Sequence, residues 1–283
     1  MNVGFIGAGK VGISFGMYLN SNGINISGYI SEHLEDTQIA TAKTQSKIYL
    51  SLKDLIYDSD IIFITTNDDS IELVKDEIIK EASDNLKYKI ISHMSGSLSS
   101  DALSDLRIYD CYTYSVHPLQ SFADVDTSVS KLSNTVFTME GSNEKISILE
   151  NLLSILGNKY FKIDTNNKEL YHVGACVVSN YLVTLIDLGL SFFKEIGIDE
   201  SNAIDALNPL IDGTIENIKC FGTKNSLTGP IARGDTKTIE SHLKSIEANA
   251  PDKLMFYKMM ALETLNISSN TPKDVEKMKS IIN

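Results

Sequence analysis

The chain has 283 residues, of which 42% are hydrophobic and 22% are charged, and its 25 basic residues are outnumbered by 37 acidic ones, for a formal charge of −12. This length and composition are typical of one large or two ordinary globular domains, and they exclude disordered, coiled-coil and collagen-like chains. The acidic balance argues against a nucleic-acid partner, because a negative surface repels phosphate backbones.

Short β-rich segments alternate with helix-patterned segments in the first half of the chain. The predicted strands are Asn2–Ile6, Ile24–Ser31, Ile61–Thr65, Lys89–His93, Tyr112–Val116, Thr135–Glu140 and Lys159–Ile163. Helical patterns such as Val11–Asn20 and Ile71–Ala82 lie between them. Continuous apolar runs such as Ile61–Ile64 indicate strands buried on both faces, as in a parallel sheet covered by helices. We therefore predict an α/β, Rossmann-like doubly wound domain over residues 1–164.

The second half of the chain has almost no strand signal. The predicted helices are Lys168–Phe193, Ser201–Ile218, Thr236–Ala248, Pro251–Leu265 and Pro272–Ile282. Gly197, Gly222 and the Gly229–Pro230 pair mark turns between them. An all-helical domain is therefore predicted over residues 165–283.

The cysteine pattern and the most apolar segment bear on the cellular setting. Three widely spaced cysteines without zinc spacing predict neither a disulfide framework nor a metal site. The chain opens directly into a predicted strand, without a basic and apolar leader, so we expect a cytoplasmic protein. The apolar segment Val173–Leu190 contains several polar residues, which favours a buried helix of a soluble protein over a membrane span.

A glycine-rich turn follows the first strand. The segment Gly7-Ala8-Gly9-Lys10-Val11-Gly12 matches G-x-G-x-x-G between a strand and a helix. In this setting Gly7 allows the tight turn, Gly9 lets a diphosphate approach the backbone, and Gly12 allows close packing of the helix on the strand. The first helical residues, Lys10 and Val11, add backbone N–H groups and the positive end of the helix dipole. We therefore predict a dinucleotide site.

The end of the second strand bears on which dinucleotide binds. Ser31 stands where NAD enzymes usually carry an acidic residue, which leaves room for a 2′-phosphate. Glu32 next to it opposes that choice, and the arginine that often accompanies the phosphate is missing. We expect NADP, with NAD as a possible alternative.

Loops that follow three further strands add small polar side chains at the same edge of the predicted sheet. Because ligands bind outside the carboxyl ends of parallel strands, we expect Thr66, Asn67 and Ser95 to line the nicotinamide site. His117 is a candidate substrate-binding residue. At least one of His93 and His117 is expected to serve the fold instead.

The helical half supplies candidates for catalysis. On the predicted helix from Lys168, the residues Lys168, His172 and Ser179 lie on one polar stripe. Lys168 or His172 is a candidate proton donor, because reduction of a carbonyl needs one, and Asn180 could orient the substrate oxygen. Ser179 is a candidate substrate ligand. Arg233 is another, because arginine suits carboxylate recognition.

Four segments carry a resemblance to a known family. They are Gly4 to Gly12, Ser115-Val-His-Pro-Leu-Gln120, Tyr171-His172 with Ser179-Asn180, and Leu227-Thr-Gly-Pro-Ile-Ala-Arg-Gly-Asp235. They resemble Rossmann-like proteins with a helical second domain of the DUF2520 type. These lie near the 6-phosphogluconate dehydrogenase C-terminal-like reductases, and some members resemble alternative ketopantoate reductases. The resemblance implies an NADPH-dependent reductase of an α-keto acid that forms a homodimer through its helical domain.

One position departs from the hydroxyisobutyrate dehydrogenases in that superfamily. The resemblance aligns their catalytic lysine with Cys176, which moves the expected proton donor to Lys168 or His172. The leading hypothesis is an NADPH-dependent reductase of 2-dehydropantoate (ketopantoate). The alternatives are a pyrroline-5-carboxylate-type imine reductase and a non-catalytic NADP-binding sensor.

Overall fold

The computed structural model describes all 283 residues and divides into two compact units, Met1–Asn180 and Tyr181–Asn283. The first unit contains one eight-stranded sheet. Its strands are β1 (Asn2–Ile6), β2 (Asn25–Ile30), β3 (Lys47–Ile48), β4 (Ile61–Ile64), β5 (Ile90–His93), β6 (Tyr112–Pro118), β7 (Phe137–Gly141) and β8 (Tyr160–Lys162). Its helices are α1 (Lys10–Ser21), α2 (Leu34–Thr44), α3 (Leu52–Asp58), α4 (Asp68–Ala82), α5 (Val125–Leu132), α6 (Ile146–Ile155) and α7 (Lys168–Val178).

The strand order is β3-β2-β1-β4-β5-β6-β7-β8, and all neighbours are parallel except β6 and β7. The order reverses beside β1, which is where open α/β sheets bind ligands. The predicted Rossmann-like fold is confirmed. The two-residue strand β3 escaped prediction, since so short a segment has no periodicity to detect.

Alternation along the strands buries both faces of the sheet. Phe5 and Phe63 belong to one apolar cluster, whereas their neighbours Ile6 and Ile62 belong to another. On the first face, the ring of Phe5 stacks on that of Tyr29, with the centroids 4.8 Å apart. The continuous apolar strands therefore anchor two cores, which fix the loops at the carboxyl edge.

The second unit contains helices and no strands. Its first helix, α8, begins at Asn180, which is the last residue of the first unit. The helices are α8 (Asn180–Glu195), α9 (Glu200–Ser226), α10 (Gly229–Arg233), α11 (Thr236–Asn249), α12 (Leu254–Ile267) and α13 (Pro272–Ile282). Gly222 interrupts α9 with a φ of 75°. A small core of residues from α10 to α13, including Ile239, Leu265 and Met278, holds the end of this unit together.

The segment after residue 164 differs from the prediction in one respect. The single helix predicted over Lys168–Phe193 is divided into α7 and α8, which meet at Ser179, where φ is −111° and ψ is −74°. The first compact unit ends at Asn180, so α7 belongs to the same unit as the sheet, and the domain boundary at residue 164 stays a prediction.

The expected burial of Val173–Leu190 is wrong for the single chain. No residue of α8 is buried, and Val183 is 69% exposed. Val173, Val178 and Tyr181 are exposed as well. By length and composition, Thr165–Glu195 is apolar enough to cross a membrane, with a mean hydropathy of 1.7.

Candidate active site

The glycine turn joins β1 to α1. Gly7 adopts a φ of +100°, and a Cβ atom there would lie 2.9 Å from the backbone of Thr65 and Thr66. A Cβ atom on Gly12 would collide with the Thr65 hydroxyl and lie 2.9 Å from the carbonyl oxygen of Gly7. At Gly9, by contrast, nothing lies within 4 Å of the Cβ position. Gly7 and Gly12 therefore serve the packing, and Gly9 leaves open space at the start of the helix.

This turn fits the diphosphate of a dinucleotide. The first turn of α1, which begins at Lys10, contains no acidic residue, and no side chain caps its N–H groups. The Thr65 hydroxyl donates a 2.8 Å hydrogen bond to the carbonyl of Gly7, which holds the turn in place. The hydroxyl of Thr66 is buried without any partner, so a ligand oxygen would satisfy it. Free N–H groups, open space and an unpaired hydroxyl meet at one place.

The ribose end of the predicted site is more exposed than the glycine turn. Ser31 follows β2 and is half-buried, whereas Glu32 and His33 are exposed. The following helix, α2, carries Glu35 and Asp36 in its first turn. Ser31 is thus accessible where the prediction places the 2′ position, among acidic neighbours.

Two predicted nicotinamide residues use their side chains to shape loops. Asn67 caps α4 by accepting a 3.1 Å hydrogen bond from the amide of Ser70. The Ser95 hydroxyl accepts hydrogen bonds from the amides of Ser97 and Leu98, at 3.1 and 3.0 Å. These loops follow β4 and β5 and are therefore rigid at the edge where the glycine turn lies.

His93 proves to be the structural histidine. It is fully buried, with Nδ1 accepting from the amide of Ser95 and Nε2 donating to the carbonyl of Ser99 at 3.0 Å. Burial lowers the pKa of His93 to about 4. His93 holds the loop after β5 as a neutral imidazole.

A row of polar residues crosses the sheet at this level. His93 on β5 lies beside Ser115 on β6, and Ser115 lies beside Glu140 on β7. Glu140 accepts hydrogen bonds from Ser100 and Thr165. Its three donors satisfy the buried carboxylate within the sheet layer.

Lys168 reaches this row from the first turn of α7. Its ammonium donates a 2.7 Å hydrogen bond to the hydroxyl of Ser115, and the residue is only 1% exposed. It forms no ion pair, and its nitrogen lies 5.7 Å from the centre of the Tyr171 ring. Burial lowers the pKa of Lys168 to about 8, although the charges of Glu140 and Asp68 act in the opposite direction.

A pocket of about 630 Å³ lies beside this buried cluster, within the first unit. Its walls come from the end of β6, the loop after it, and the exposed side of α7. The lining residues are His117, Leu119, Gln120, Ser121, Tyr171, His172, Gly174, Ala175, Cys176, Val178, Ser179 and Asn180. Four of the residues proposed from sequence, His117, His172, Ser179 and Asn180, therefore line one pocket.

Two histidines in the pocket wall are held by neighbours on α7. The Nδ1 atom of His117 lies 2.8 Å from the Tyr171 hydroxyl. The Nε2 atom of His172 lies 3.3 Å from the sulfur of Cys176, one helical turn further on. Burial lowers the pKa of His117 to about 3, and the positive charge of Lys168 adds to this effect.

The remaining predicted residues lie elsewhere. Arg233 belongs to the second unit, is largely exposed and pairs with Asp235 at 2.9 Å. Lys168 lies beneath the pocket and does not line it.

Sequence reasoning missed the roles of Tyr171, Cys176 and Gly96. The spacing of Cys176 four residues after His172 could have indicated that contact, because residues four apart face each other on a helix. Gly96 gave no such signal.

Comparisons with known proteins agree with this architecture. Residues 135–264 match the family model described as a domain of unknown function, DUF2520. No curated protein matches the chain.

Several solved structures share the fold over nearly their whole length. Protein TM1727 from Thermotoga maritima is 24% identical with a TM-score of 0.74, covering 97% of this chain and 98% of that one. The provisionally named NADP oxidoreductase BF3122 from Bacteroides fragilis is 20% identical with a TM-score of 0.73, covering 94% and 98%. The Plasmodium falciparum pyrroline carboxylate reductase, solved with NADP bound, is 15% identical with a TM-score of 0.63, covering 100% and 98%.

The fold and the match together confirm the resemblance inferred from the sequence motifs. The chain has a Rossmann-like fold, and its residues 135–264 are similar to the DUF2520 family model.

Proposed function

We propose that the chain is an NADPH-dependent oxidoreductase that reduces a small 2-keto acid, with 2-dehydropantoate as the first substrate to test. The observation that supports this most is the occurrence, in one compact unit, of an open glycine turn and a histidine-lined pocket at the carboxyl edge of the sheet. The bound NADP of the Plasmodium falciparum reductase supports the choice of cofactor.

The cofactor site in this proposal comprises the turn from Gly7 to Gly12, including the N–H groups of Lys10 and Val11. The Thr66 hydroxyl would bond the ligand, and Ser31 would lie beside the ribose. Asn67 and Ser95 would shape the loops around the nicotinamide. When bound, the reduced dinucleotide supplies the hydride.

The proton donor in this proposal is His172. It lines the pocket, and its Nδ1 atom is buried without a partner, whereas the ammonium of Lys168 is sealed beneath the pocket. Lys168 acts through its charge, which favours an alkoxide forming nearby. Asn180 would orient the substrate oxygen, and Ser179 would bind the substrate carboxylate.

An imine reductase is the second candidate. The similarity to the pyrroline carboxylate reductase fold favours it. A cyclic imine such as pyrroline-5-carboxylate carries the same carboxylate as a keto acid and has a similar size. The two substrates differ in the reacting atom, which is nitrogen in one and oxygen in the other.

We also propose that the chain works as a cytoplasmic homodimer. The exposed apolar side chains Tyr181, Val183 and Leu185 on α8 would be covered by a second copy. A membrane span is disfavoured, because the apolar segment Val173–Leu190 contains the polar residues Ser179, Asn180, Thr184 and Asp187.

The test follows the loss of NADPH or NADH absorbance with purified protein and a panel of 2-keto acids and cyclic imines. Turnover of 2-dehydropantoate with a preference for NADPH is the expected result. Tight binding of NADPH without turnover of any substrate would favour a redox sensor instead. Absence of calorimetric heat with all four forms of the dinucleotides would overturn the proposal.

A further inference from the structure

One thiol stands in the wall of the pocket. Cys176 is half-buried on α7 and lines the pocket of about 630 Å³ together with His172, one helical turn before it. Residues four apart lie on the same side of a helix, and here the sulfur of Cys176 is 3.3 Å from Nε2 of His172. A nucleophile and a base within hydrogen-bonding distance, on the wall of a cavity, form the basic arrangement of a reactive thiol.

The loop after β5 sets the orientation of the His172 ring. A Cβ atom built on Gly96 would lie 2.6 Å from Nδ1 of His172 and 2.8 Å from Nε2 of His117, so a glycine is needed to leave room for the two rings. These rings meet edge to face, with their centroids 6.2 Å apart. The Nδ1 edge of His172 is therefore packed against the backbone at Gly96, and the Nε2 edge is the one that faces Cys176.

The imidazole of His172 assists the thiol wherever the ring proton lies. When Nε2 is unprotonated, it accepts the proton that the sulfur loses as it attacks an electrophile. When Nε2 carries the proton, its N–H group donates to the sulfur and stabilises the thiolate as it forms. The contact between the two side chains therefore favours a nucleophilic sulfur in both tautomers.

The other two cysteines lack this arrangement. Cys111 is buried, its thiol donates a hydrogen bond to the carbonyl of Leu106, and burial raises its pKa to about 12. Cys220 is exposed on α9 and forms no hydrogen bond with a histidine. The chain thus contains one thiol with a neighbouring base, one exposed thiol without a base, and one thiol that is shielded from water.

The pocket lining indicates which kind of reagent would reach the sulfur. It contains no lysine, so no amine competes with the thiol for an electrophilic carbon. Leu119, Ala175 and Val178 offer apolar contacts to a carbon skeleton, and a cavity of this size holds a small organic molecule. The proposed reductase would admit carbonyl compounds here, and an α,β-unsaturated one carries an electrophilic β carbon that suits a thiolate.

We propose that Cys176 is a covalent modification site for small α,β-unsaturated carbonyl compounds, and that His172 assists the attack of the sulfur. The site itself follows from the pocket and from the contact between the two side chains. The choice of carbonyl compounds rests on the proposed reductase function. The modified side chain fills the pocket beside the proposed proton donor, so the adduct blocks turnover.

The addition balances without any further reactant. The sulfur of Cys176 forms a bond to the β carbon, and the electron pair of the carbon–carbon double bond moves toward the carbonyl group to give an enolate. The thiol proton, taken up by His172 or by water, ends on the α carbon. Nothing leaves and no electron donor is needed, so the protein gains the full mass of the reagent.

The first test measures the rate of modification at each cysteine and needs neither cofactor nor substrate. The full-length protein is treated with 2-cyclohexen-1-one at pH 7, and peptide mass spectrometry follows the three thiols. Cys176 is expected to react at least about 10-fold faster than Cys220. Cys111 should react only after unfolding in urea. A rate at Cys176 no greater than that at Cys220 would exclude the site.

The second test removes the neighbouring imidazole. His172→Leu is expected to lower the rate at Cys176 at least about 10-fold, with the rate at Cys220 as the internal reference. His33→Leu, at an exposed position, is the control and should change neither rate. Labelling of Cys111 would reveal an unfolded variant, and the ratio of rates in the unaltered protein then decides. An unchanged rate at Cys176 in folded His172→Leu would show that the histidine does not assist.

The third test connects the site with turnover. Treatment with the unsaturated ketone should abolish NADPH-dependent turnover of the unaltered protein, whereas Cys176→Ser should keep whatever turnover it has before treatment. If no dinucleotide binds, the reductase proposal fails, and the modification rates still decide the site. If substrates are reduced but the ketone adds to Cys176 no faster than to Cys220, the reductase stands and the modification site is wrong.

Discussion

The ammonium of Lys168 donates a 2.7 Å hydrogen bond to the hydroxyl of Ser115, and both residues are shielded from water. A serine hydroxyl carries no charge, so this bond only partly compensates for the burial of the cation. The low pKa of Lys168, about 8, expresses that cost.

Replacing Lys168 by methionine is therefore expected to stabilise the fold at neutral pH. Below pH 8 the folded chain holds the buried proton at full cost, which amounts to about 3 kcal/mol for the shift in pKa. Between pH 8 and about 10.5 the folded lysine is deprotonated while the unfolded one is still charged, so the stability of the wild type rises.

Urea unfolding at pH 7 and pH 10 measures this difference. The advantage of Lys168→Met should shrink at the higher pH, and Lys53→Met, at an exposed position, should show neither effect. An advantage that does not change with pH would contradict the assigned burial of the charge.

Acid should destabilise the fold through two histidines. Burial lowers the pKa of His93 to about 4 and of His117 to about 3, so the folded chain stays unprotonated where the unfolded chain binds protons. Stability is therefore full above pH 6.5 and falls as the pH decreases toward 4. Each histidine contributes a slope of up to about 1.4 kcal/mol per pH unit.

Chemical unfolding between pH 7 and pH 4.5 tests this. The variants His93→Gln and His117→Gln should each flatten the dependence, whereas His33→Gln, at an exposed site, should leave it unchanged. Equal slopes in all four proteins would show that carboxylates alone govern the acid sensitivity.

Alanine at two glycines of the turn should separate folding from cofactor binding. Gly12→Ala would press on Thr65 and on the Gly7 carbonyl, so a loss of about 1–3 kcal/mol of stability is expected. Gly9→Ala meets no protein atom, so the melting temperature should hold while the affinity for NADPH falls. Thermal unfolding and calorimetry read the two effects, and unchanged NADPH affinity in Gly9→Ala would place the diphosphate elsewhere.

A charge on α8 should disrupt the proposed dimer. Val183→Asp places a carboxylate in the exposed apolar surface and is expected to give monomers in light scattering after gel filtration. Leu50→Asp, at an even more exposed apolar residue of the first unit, is the control and should leave the mass unchanged. A monomeric wild type, or its sedimentation with lipid vesicles, would refute the dimer.

The fold was largely predictable because strands such as Ile61–Ile64 are apolar throughout and the glycine turn is a local pattern. The break at Ser179 was not predictable, since serine is compatible with a helix and the apolar pattern continues on both sides. The exposure of α8 was missed because an apolar sequence shows that a surface needs cover, but does not show which molecule provides it.

The candidate site was partly predictable for a related reason. The helical spacing of Lys168 and His172 indicated a common face, but their different burial depends on contacts with Ser115 and Gly96, which are distant in sequence. No local pattern records that a glycine in one loop makes room for two rings from other elements.

The helix α7 carries Lys168, Tyr171, His172 and Cys176 on successive turns. Because one helix bears all four side chains, a small rotation about its axis would move the lysine away from Ser115, the Tyr171 hydroxyl away from His117 and the His172 ring away from Gly96 together. The alignment of these four side chains therefore depends on the position of α7 alone. Any molecule that contacts the exposed side of α7 would change the alignment of the whole group.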